Sequence, residues 1–169
     1  MNLMTIGEHI AQHQILGVNK AGGASYAVGI GGSGTSHTGS TAETTLGTVT
    51  LAANTMGANG LLRVTSFWTM TGTANTKTPR VKFGGTTISG NASIAATLSQ
   101  SVISIVNNKT AATQTATGLG SATGLGNIAA TSLSLAIDTT ADVTILFTGQ
   151  LANSADSIAL DRYVIEVIR

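Results

Sequence analysis

The sequence lacks cysteine and contains little proline, charge or aromatic character. Its 169 residues include one proline, and only 9% are charged and 4% aromatic. Without cysteine, neither a disulfide bond nor a thiolate metal site can form. So few charges exclude a coiled coil, whose flanking positions need Glu and Lys. The eight scattered Lys and Arg residues do not make the basic cluster that nucleic-acid binding requires, so we predict no nucleic-acid partner.

Long hydrophobic runs are also missing, although the mean hydropathy is +0.30. The two longest uncharged stretches, 83–108 and 110–137, are interrupted every few residues by Gly, Ser, Thr or Asn. A membrane-spanning helix needs about 20 mostly apolar residues, so we predict no membrane association. The first residues lack a basic segment followed by an apolar one, and we therefore expect no secretory signal.

Small residues dominate instead, since Gly, Ala, Thr and Ser make up just over half of the chain. The length suits one domain. Apolar residues at spacings of three and four predict a short amphipathic helix over 3–16. The Gly/Ser-rich segment 21–40 is typical of a flexible linker. We interpret residues 1–43 as an extended N-terminal arm.

From Thr44 onward, short runs rich in Val, Ile and Thr alternate with turn residues. These residue types favour strands, and turns at this spacing predict an all-β sandwich or barrel. The predicted strands cover 45–51, 61–70, 79–83, 86–89, 92–98, 101–106, 131–137, 142–147 and 159–168. We predict a single β-sandwich domain over residues 44–169.

Several predicted strands have apolar residues on both faces. In strand 61–70, Leu62, Val64 and Trp68 share one face, whereas Phe67 lies beside Arg63 on the other. An antiparallel sandwich leaves one face of each sheet to water. Strands of this kind indicate that their second apolar face is also shielded from water. A loop of the same chain, the N-terminal arm or another subunit could shield it. We predict a homo-oligomer.

Two patterns resemble ligand sites only in part. Residues 29–34, GIGGSG, match the glycine pattern of a dinucleotide-binding loop. Such a loop joins a strand to a helix, and the residues after Gly34 have no helical pattern, so we predict no cofactor. His9 and His13 would share one helix face, but zinc needs further ligands, so we predict no metal site.

The acidic residues are typical of turns. Asp138 and Asp142 flank a short turn and would act as a glycosidase pair only if both entered a cleft. Because Asp favours turns, we interpret both, together with Asp156 and Asp161, as turn residues. No serine has the strand-to-helix elbow of a nucleophile, and His37 lies in the Gly/Ser-rich segment. We therefore predict no catalytic residue and no enzymatic activity.

A modest basic cluster is predicted on the first strands of the sandwich. It comprises Arg63, Arg80 and Lys82, with Lys77 in the intervening loop. Such a cluster could contact a negatively charged partner surface. Charges of this kind are more often solvated or paired with acids, and here Glu43, Asp161 and Glu166 are available.

Residues 43–89 carry an ordered series of turns and strands. The series runs through TMGANG (55–60), LRV (62–64) with Trp68, Asn75, Lys77 and RVKFGGT (80–86). It resembles a segment common in small structural proteins of tailed bacteriophages. The proline usual before the first turn is replaced here by Ala52 and Ala53. The resemblance implies a jelly-roll β-sandwich in a virion protein, often trimeric, and it brings no catalytic residues.

With the low charge and the all-β pattern, this resemblance implies a virion structural protein, specifically a capsid decoration or cement protein. We expect a homotrimer whose arm, residues 1–43, binds the major capsid protein or another virion protein. The alternative is a fibre or receptor-binding module that contacts host surface glycans. The aromatic residues available to such a module are Trp68, Tyr26, Tyr163, Phe67, Phe83 and Phe147.

Overall fold

The computed structural model describes residues 25–31, 35–90, 99–118 and 133–169, and the regular elements in these ranges are strands. In chain order they are β1 (Ser25–Gly31), β2 (Thr35–Thr38), β3 (Thr44–Leu51), β4 (Leu61–Met70), β5 (Lys77–Phe83), β6 (Thr86–Gly90), β7 (Ser99–Thr110), β8 (Thr113–Gly118), β9 (Leu133–Leu135), β10 (Val143–Leu151) and β11 (Ser157–Ile168). Within these ranges, no helix has the length and hydrophobicity needed to cross a membrane.

The strands form two antiparallel sheets with one core between them. The larger sheet has seven strands in the order β1-β11-β4-β7-β8-β9, with β2 also paired to β11. The smaller sheet has the order β3-β10-β5-β6. Buried apolar side chains from both sheets belong to a single cluster. The prediction of an all-β, jelly-roll-like sandwich is confirmed at the level of two packed antiparallel sheets.

Side-chain alternation places the core where the sequence pattern predicts it. On β4, Leu62, Val64 and Trp68 are at most 1% exposed. The indole Nε1 of Trp68 donates to Ser66 Oγ at 2.9 Å, so the one polar group of this ring is satisfied inside the core. From the smaller sheet, Phe147 stacks on Tyr163 of β11 with ring centroids 4.7 Å apart. Burial of each large apolar side chain stabilises the fold by roughly 1.5–3 kcal/mol.

Strand lengths differ from the predicted ones where pairing extends them. Strand β4 covers the same residues as predicted, 61–70. Strand β7 continues beyond the predicted end at residue 106 through Asn107 and Asn108, because both residues pair with β8. Hydrogen bonds to a neighbouring strand therefore override the turn preference of Asn at these positions. The predicted strand 92–98 and the predicted helix 3–16 lie outside the described residues.

Part of the predicted linker consists of strands. Within 21–40, β1 pairs with the second half of β11 and β2 with its first half. Instead of a flexible linker, the chain over 25–31 and 35–38 belongs to the seven-stranded sheet, on the N-terminal side of the predicted boundary at residue 44. Main-chain hydrogen bonds between strands need no particular side chain, so strand pairing cannot be recognised from a Gly/Ser-rich sequence. The remainder of the predicted arm before Ser25 lies outside the described residues.

Candidate functional site

The two acids that could have formed a glycosidase pair serve turns. Asp138 Oδ1 accepts hydrogen bonds from the hydroxyl and the backbone N–H of Thr140, at 2.6 and 2.9 Å. The hydroxyl bond, followed by the backbone bond, lowers the pKa of the Asp138 carboxyl. Asp142 Oδ1 accepts from the backbone N–H of Ala53 at 2.8 Å. Both carboxylates therefore act as acceptors that hold loop backbone.

Asp156 and Asp161 also bond to neighbouring threonines. The prediction of a turn is wrong for Asp161, because this exposed residue lies within β11 and accepts from Thr69 Oγ1 of the adjacent strand at 3.0 Å. Asp156 is 2% exposed and its Oδ1 accepts from Thr73 Oγ1 at 2.8 Å. The ammonium group of Lys77, which is fully buried, donates to Thr73 O and Thr73 Oγ1, both at 2.9 Å. One threonine hydroxyl thus bridges a buried lysine and a buried aspartate.

The histidine and glycine patterns do not form a ligand site in the described residues. His37 lies on β2, is 6% exposed, and its Nε2 has no hydrogen-bond partner. Gly29 to Gly31 belong to β1 and not to a strand-to-helix turn. His9 and His13 lie outside the described residues, as do the last three residues of the glycine pattern. In the described ranges, no three His, Asp or Glu side chains come together as metal ligands would.

The basic residues separate onto different parts of the sandwich and do not form one cluster. Arg80 and Lys82 lie on the smaller sheet, where their Nη1 and Nζ atoms approach the Glu43 carboxylate at 3.4 and 2.6 Å. The hydrogen bond from Lys82, and then that from Thr148, lowers the pKa of Glu43. Lys77 was predicted in a loop, but it is the first residue of β5 and is fully buried. On the outer face of this sheet, neutralisation by Glu43 leaves one net positive charge from Arg80 and Lys82.

The remaining arginine of the predicted cluster, Arg63, lies on the opposite sheet. Its Nε donates to Glu166 Oε2 at 2.7 Å, across the β4–β11 pair. This hydrogen bond lowers the pKa of Glu166 and raises that of Arg63. The predicted pairing with acids is thus observed for Arg63, Arg80 and Lys82. Since Arg63 is 43% exposed at its side chain, solvent screening keeps its contribution to stability small.

The aromatic rings belong mainly to the core. Trp68, Phe83 and Phe147 are at most 1% exposed, and Tyr163 is half-buried against Phe147. Phe67 is 40% exposed on the outer side of β4. The side chain of Tyr26 lies outside the described ones. Among the described rings, Phe67 is therefore the one that a partner can reach most readily.

The TMGANG segment (55–60) is a clamped turn. Gly57 and Asn59 adopt positive φ values of 66° and 68°. At Gly60 a side chain is excluded, because a Cβ there would overlap the Met56 carbonyl oxygen. Met56 itself is fully buried in the core. The residue types of this motif are accounted for by backbone geometry and packing.

A buried polar network holds this turn against the rest of the sandwich. The backbone N–H of Asn108 donates to Gly60 O at 2.8 Å, and its side-chain amide donates to Gly57 O. Asn108 Oδ1 accepts from Gln114 Nε2 at 2.9 Å, and Asn108 Nδ2 also bonds to Thr139 Oγ1 at 3.2 Å. These three buried side chains therefore join the turn to the β7–β8 hairpin and to the loop before β10. Sequence patterns did not reveal Asn108 or Gln114, because Asn108 binds Gly57 and Thr139, 51 and 31 residues away, and Gln114 binds Ile137, 23 residues away.

The outer face of the smaller sheet is polar. Thr48 on β3, Leu146 on β10 and Lys82 on β5 stand side by side in register. The next row contains Thr148 and Arg80 with Glu43 bound to both. Hydroxyls and paired charges of this kind are hydrated readily, and the half-buried Leu146 is the one large apolar side chain in these two rows.

The outer face of the larger sheet is apolar by comparison. A row in register across four strands contains Ile30 on β1, Val164 on β11, Thr65 on β4 and Ile103 on β7. Ile30 is 68% exposed, and Phe67, on the same side of β4 as Thr65, is 40% exposed. We call the outer surface of β1, β11, β4 and β7 the apolar face. The sequence analysis did not place Ile30 in a strand, although apolar residues at every second position before it are typical of one.

Comparisons with known proteins add little. No protein-family model matches the chain, and no curated protein matches it. Among solved structures, dimeric latent PorU from Porphyromonas gingivalis is similar at a TM-score of 0.39 and 8% sequence identity. The match covers 72% of this chain and 10% of that chain, so this chain spans about a tenth of its length. A similarity at this level says nothing about function.

Proposed function

We propose that the protein is a non-enzymatic structural protein of a tailed-bacteriophage virion. It acts as a capsid decoration protein that assembles into a homotrimer and binds the particle through the N-terminal arm. The observation that carries this proposal is the apolar face, which combines an exposed Ile30 and Phe67 with half-buried Ile103 and Val164. Large exposed apolar patches are uncommon on soluble monomers and mark interaction sites.

The use of the ionisable side chains supports a structural role. Asp138 and Asp142 hold loop backbone, and Glu43 and Glu166 pair with cations on the sheet surfaces. A catalytic site would instead bring such groups together in a cleft with perturbed pKa values. The virion assignment rests on the resemblance of residues 43–89 to phage structural proteins, which also implies the trimer.

Binding to the particle is assigned to residues 1–24 of the arm, because β1 and β2 are already paired with β11. Ordering a chain segment costs roughly 1–2 kcal/mol per residue, and contacts with a partner surface offset that cost.

The experiment compares the full chain with a variant that lacks residues 1–24 and keeps β1 and β2. Each is added to particles devoid of the protein, and bound copies are counted by quantitative gel analysis and cryo-EM. We expect hundreds of copies of the full chain per capsid and almost none of the truncated chain, with the same sheet content by circular dichroism. Full decoration by the truncated chain would refute the role of the arm, and a handful of copies at the tail would refute decoration.

The alternative function is a fibre or receptor-binding module for host glycans. The observation in its favour is Phe67, whose exposed ring lies next to Arg162 and Ser101 in the β-ladder. Sugar sites combine such a ring with polar groups. Glycan-array binding that is lost in Phe67→Ala would favour this alternative over decoration.

A further inference from the structure

We propose that the apolar face is where copies of this chain bind one another. This inference deepens the proposed function, because self-assembly is part of it. The occupant is a second copy of the chain, and three features of the face support this choice: its continuity, its size and its charge balance.

The face is continuous because apolar side chains line up across strands. Ile30, Val164 and Ile103 belong to one row, with Thr65 between the last two. Directly opposed side chains in a sheet have Cβ atoms about 4.5–5.5 Å apart, so this row is a contiguous ridge. The exposed Phe67 adjoins it on β4.

A second apolar pair extends the face toward one end of the sheet. Leu61 on β4 opposes Ile168 on β11, and both are half-buried. The Arg63–Glu166 pair lies between this pair and the central row. On the outer side of β4, apolar side chains therefore stand at Leu61 and Phe67, with Arg63 and Thr65 between them.

The face is large enough for a stable association. It spans four strands, and its central strand β4 has ten residues. With about 4.8 Å between strands and about 3.4 Å per residue, the flat area is roughly 650 Å². A standard protein–protein interface buries about 800 Å² on each partner. The relief of the side chains makes the contact area larger than the flat area, so the two values are comparable.

Charges near the centre of this face are paired. Arg63 is paired with Glu166, and the exposed Asp161 and Arg162 are adjacent and opposite in sign. The further charge on these strands, Lys109, lies near the end of β7, so the central part of the face carries no net charge. The outer face of the smaller sheet differs, because Arg80 and Lys82 lie on adjacent rows and share a single acid, Glu43. Like-charge juxtaposition disfavours self-association there.

The test measures the mass of the purified full chain by sedimentation velocity over a range of concentrations. We expect an oligomer for the wild type and a 16.9 kDa monomer for the double variant Ile30→Lys with Phe67→Lys. Leu146→Lys is the matched control, because Leu146 is an outer-face apolar residue on the other sheet. We expect its mass to equal that of the wild type. Loss of two interface anchors should raise the dissociation constant by about 100-fold or more.

A second variant keeps the proposal falsifiable if the double variant does not fold. The chain has no cysteine, so Ile30→Cys introduces the only thiol, on the face; Thr48→Cys, exposed on the other sheet, is its control. Under oxidising conditions we expect disulfide-linked dimers for Ile30→Cys and not for Thr48→Cys. A monomeric wild type at about 100 µM, where even weak micromolar association is populated, would overturn the proposal. An unchanged mass in the double variant, or equal cross-linking in both cysteine variants, would do the same.

These outcomes are distinct from those of the particle-binding experiment. An isolated chain that self-associates through the apolar face but does not decorate particles would contradict the proposed virion role and leave the present inference standing. A monomer that decorates particles fully would contradict self-association through the apolar face and leave the proposed virion role standing.

Discussion

The hydroxyl of Thr73 is expected to stabilise the sandwich because it links two buried charges. It accepts from Lys77 Nζ at 2.9 Å and donates to Asp156 Oδ1 at 2.8 Å. Lys77 is fully buried and Asp156 is 2% exposed. Replacement of Thr73 by the isosteric valine removes both hydrogen bonds and preserves shape. The other hydrogen bond of the ammonium group, to the backbone oxygen of Thr73, remains.

The magnitude follows from the value of hydrogen bonds to charged groups. Each contributes about 1.5–3 kcal/mol when buried, so loss of two gives an upper range near 3–6 kcal/mol. Thr73 itself is only half-buried, and water can replace part of the loss. We therefore expect Thr73→Val to lower the free energy of unfolding by roughly 2–4 kcal/mol. In a domain of this size, that corresponds to a decrease in Tm of roughly 4–16 °C.

The assay is urea unfolding followed by the fluorescence of Trp68, the single tryptophan, which is 1% exposed. Thr73→Ser is the matched control, since it keeps the hydroxyl and removes one methyl group, at a cost of about 0.8 kcal/mol. Lys77→Met provides the second test, because in its background Thr73→Val removes one hydrogen bond to a charge instead of two. The two changes should therefore couple by about 0.5–3 kcal/mol. Equal stability of the valine and serine variants, or additive effects of Thr73→Val and Lys77→Met, would refute the reasoning.

Two further outcomes are expected. Gly60→Ala should lower the free energy of unfolding by roughly 3 kcal/mol or more, because a Cβ there overlaps the Met56 carbonyl oxygen and forces the backbone to move. Gly85→Ala is the control: its Cβ would have nothing within 4 Å, but its φ is 81°, so the loss should be only about 1–2 kcal/mol. Similar urea midpoints for the two variants would contradict this prediction. The pKa of Glu43 is lowered in the folded state by Lys82 and Thr148, so its contribution is present above the unfolded glutamate pKa of about 4.3 and is lost as the pH falls through the lower folded value. The difference in the free energy of unfolding between wild type and Glu43→Gln should therefore shrink as the pH falls below about 4.3. A difference that stays constant in acid would show that the Glu43 carboxylate does not cause it.

Much of the larger architecture follows from local alternation. Strand β4 was predicted at its observed bounds because Leu62, Val64 and Trp68 alternate with outward-facing residues, and a strand exposes this period directly in its sequence. The turn role of Asp138 was likewise predictable, because a short polar side chain bonds to the backbone two residues on. The partner of Asp142 was not, because Ala53 lies 89 residues away in the chain. For the candidate site, apolar residues on both faces of β4 and β11 predicted that a partner covers the outer face of these strands. Which partner covers it stays a prediction.

Positions that depend on distant partners were not predictable in this way. Strand β1 in the Gly/Ser-rich segment pairs with β11, at the other end of the chain. The basic residues looked like one cluster along the sequence, but Arg63 and Arg80 lie on different sheets. Burial of Lys77 could not be read from its charge, which by itself favours exposure.

Local sequence pattern accounts for strand formation, for the core-facing side chains of the main strands, and for the turns at Gly57 and Asp138. These properties arise within a few residues, through side-chain period and backbone conformation. The order of strands in the two sheets, the addition of β1 and β2 beside β11, and the joining of Ile30, Val164 and Ile103 into one face were decided only in the tertiary structure. The physical reason is that main-chain hydrogen bonds between strands are nearly independent of side-chain identity. Partner choice is therefore settled by how the whole core packs.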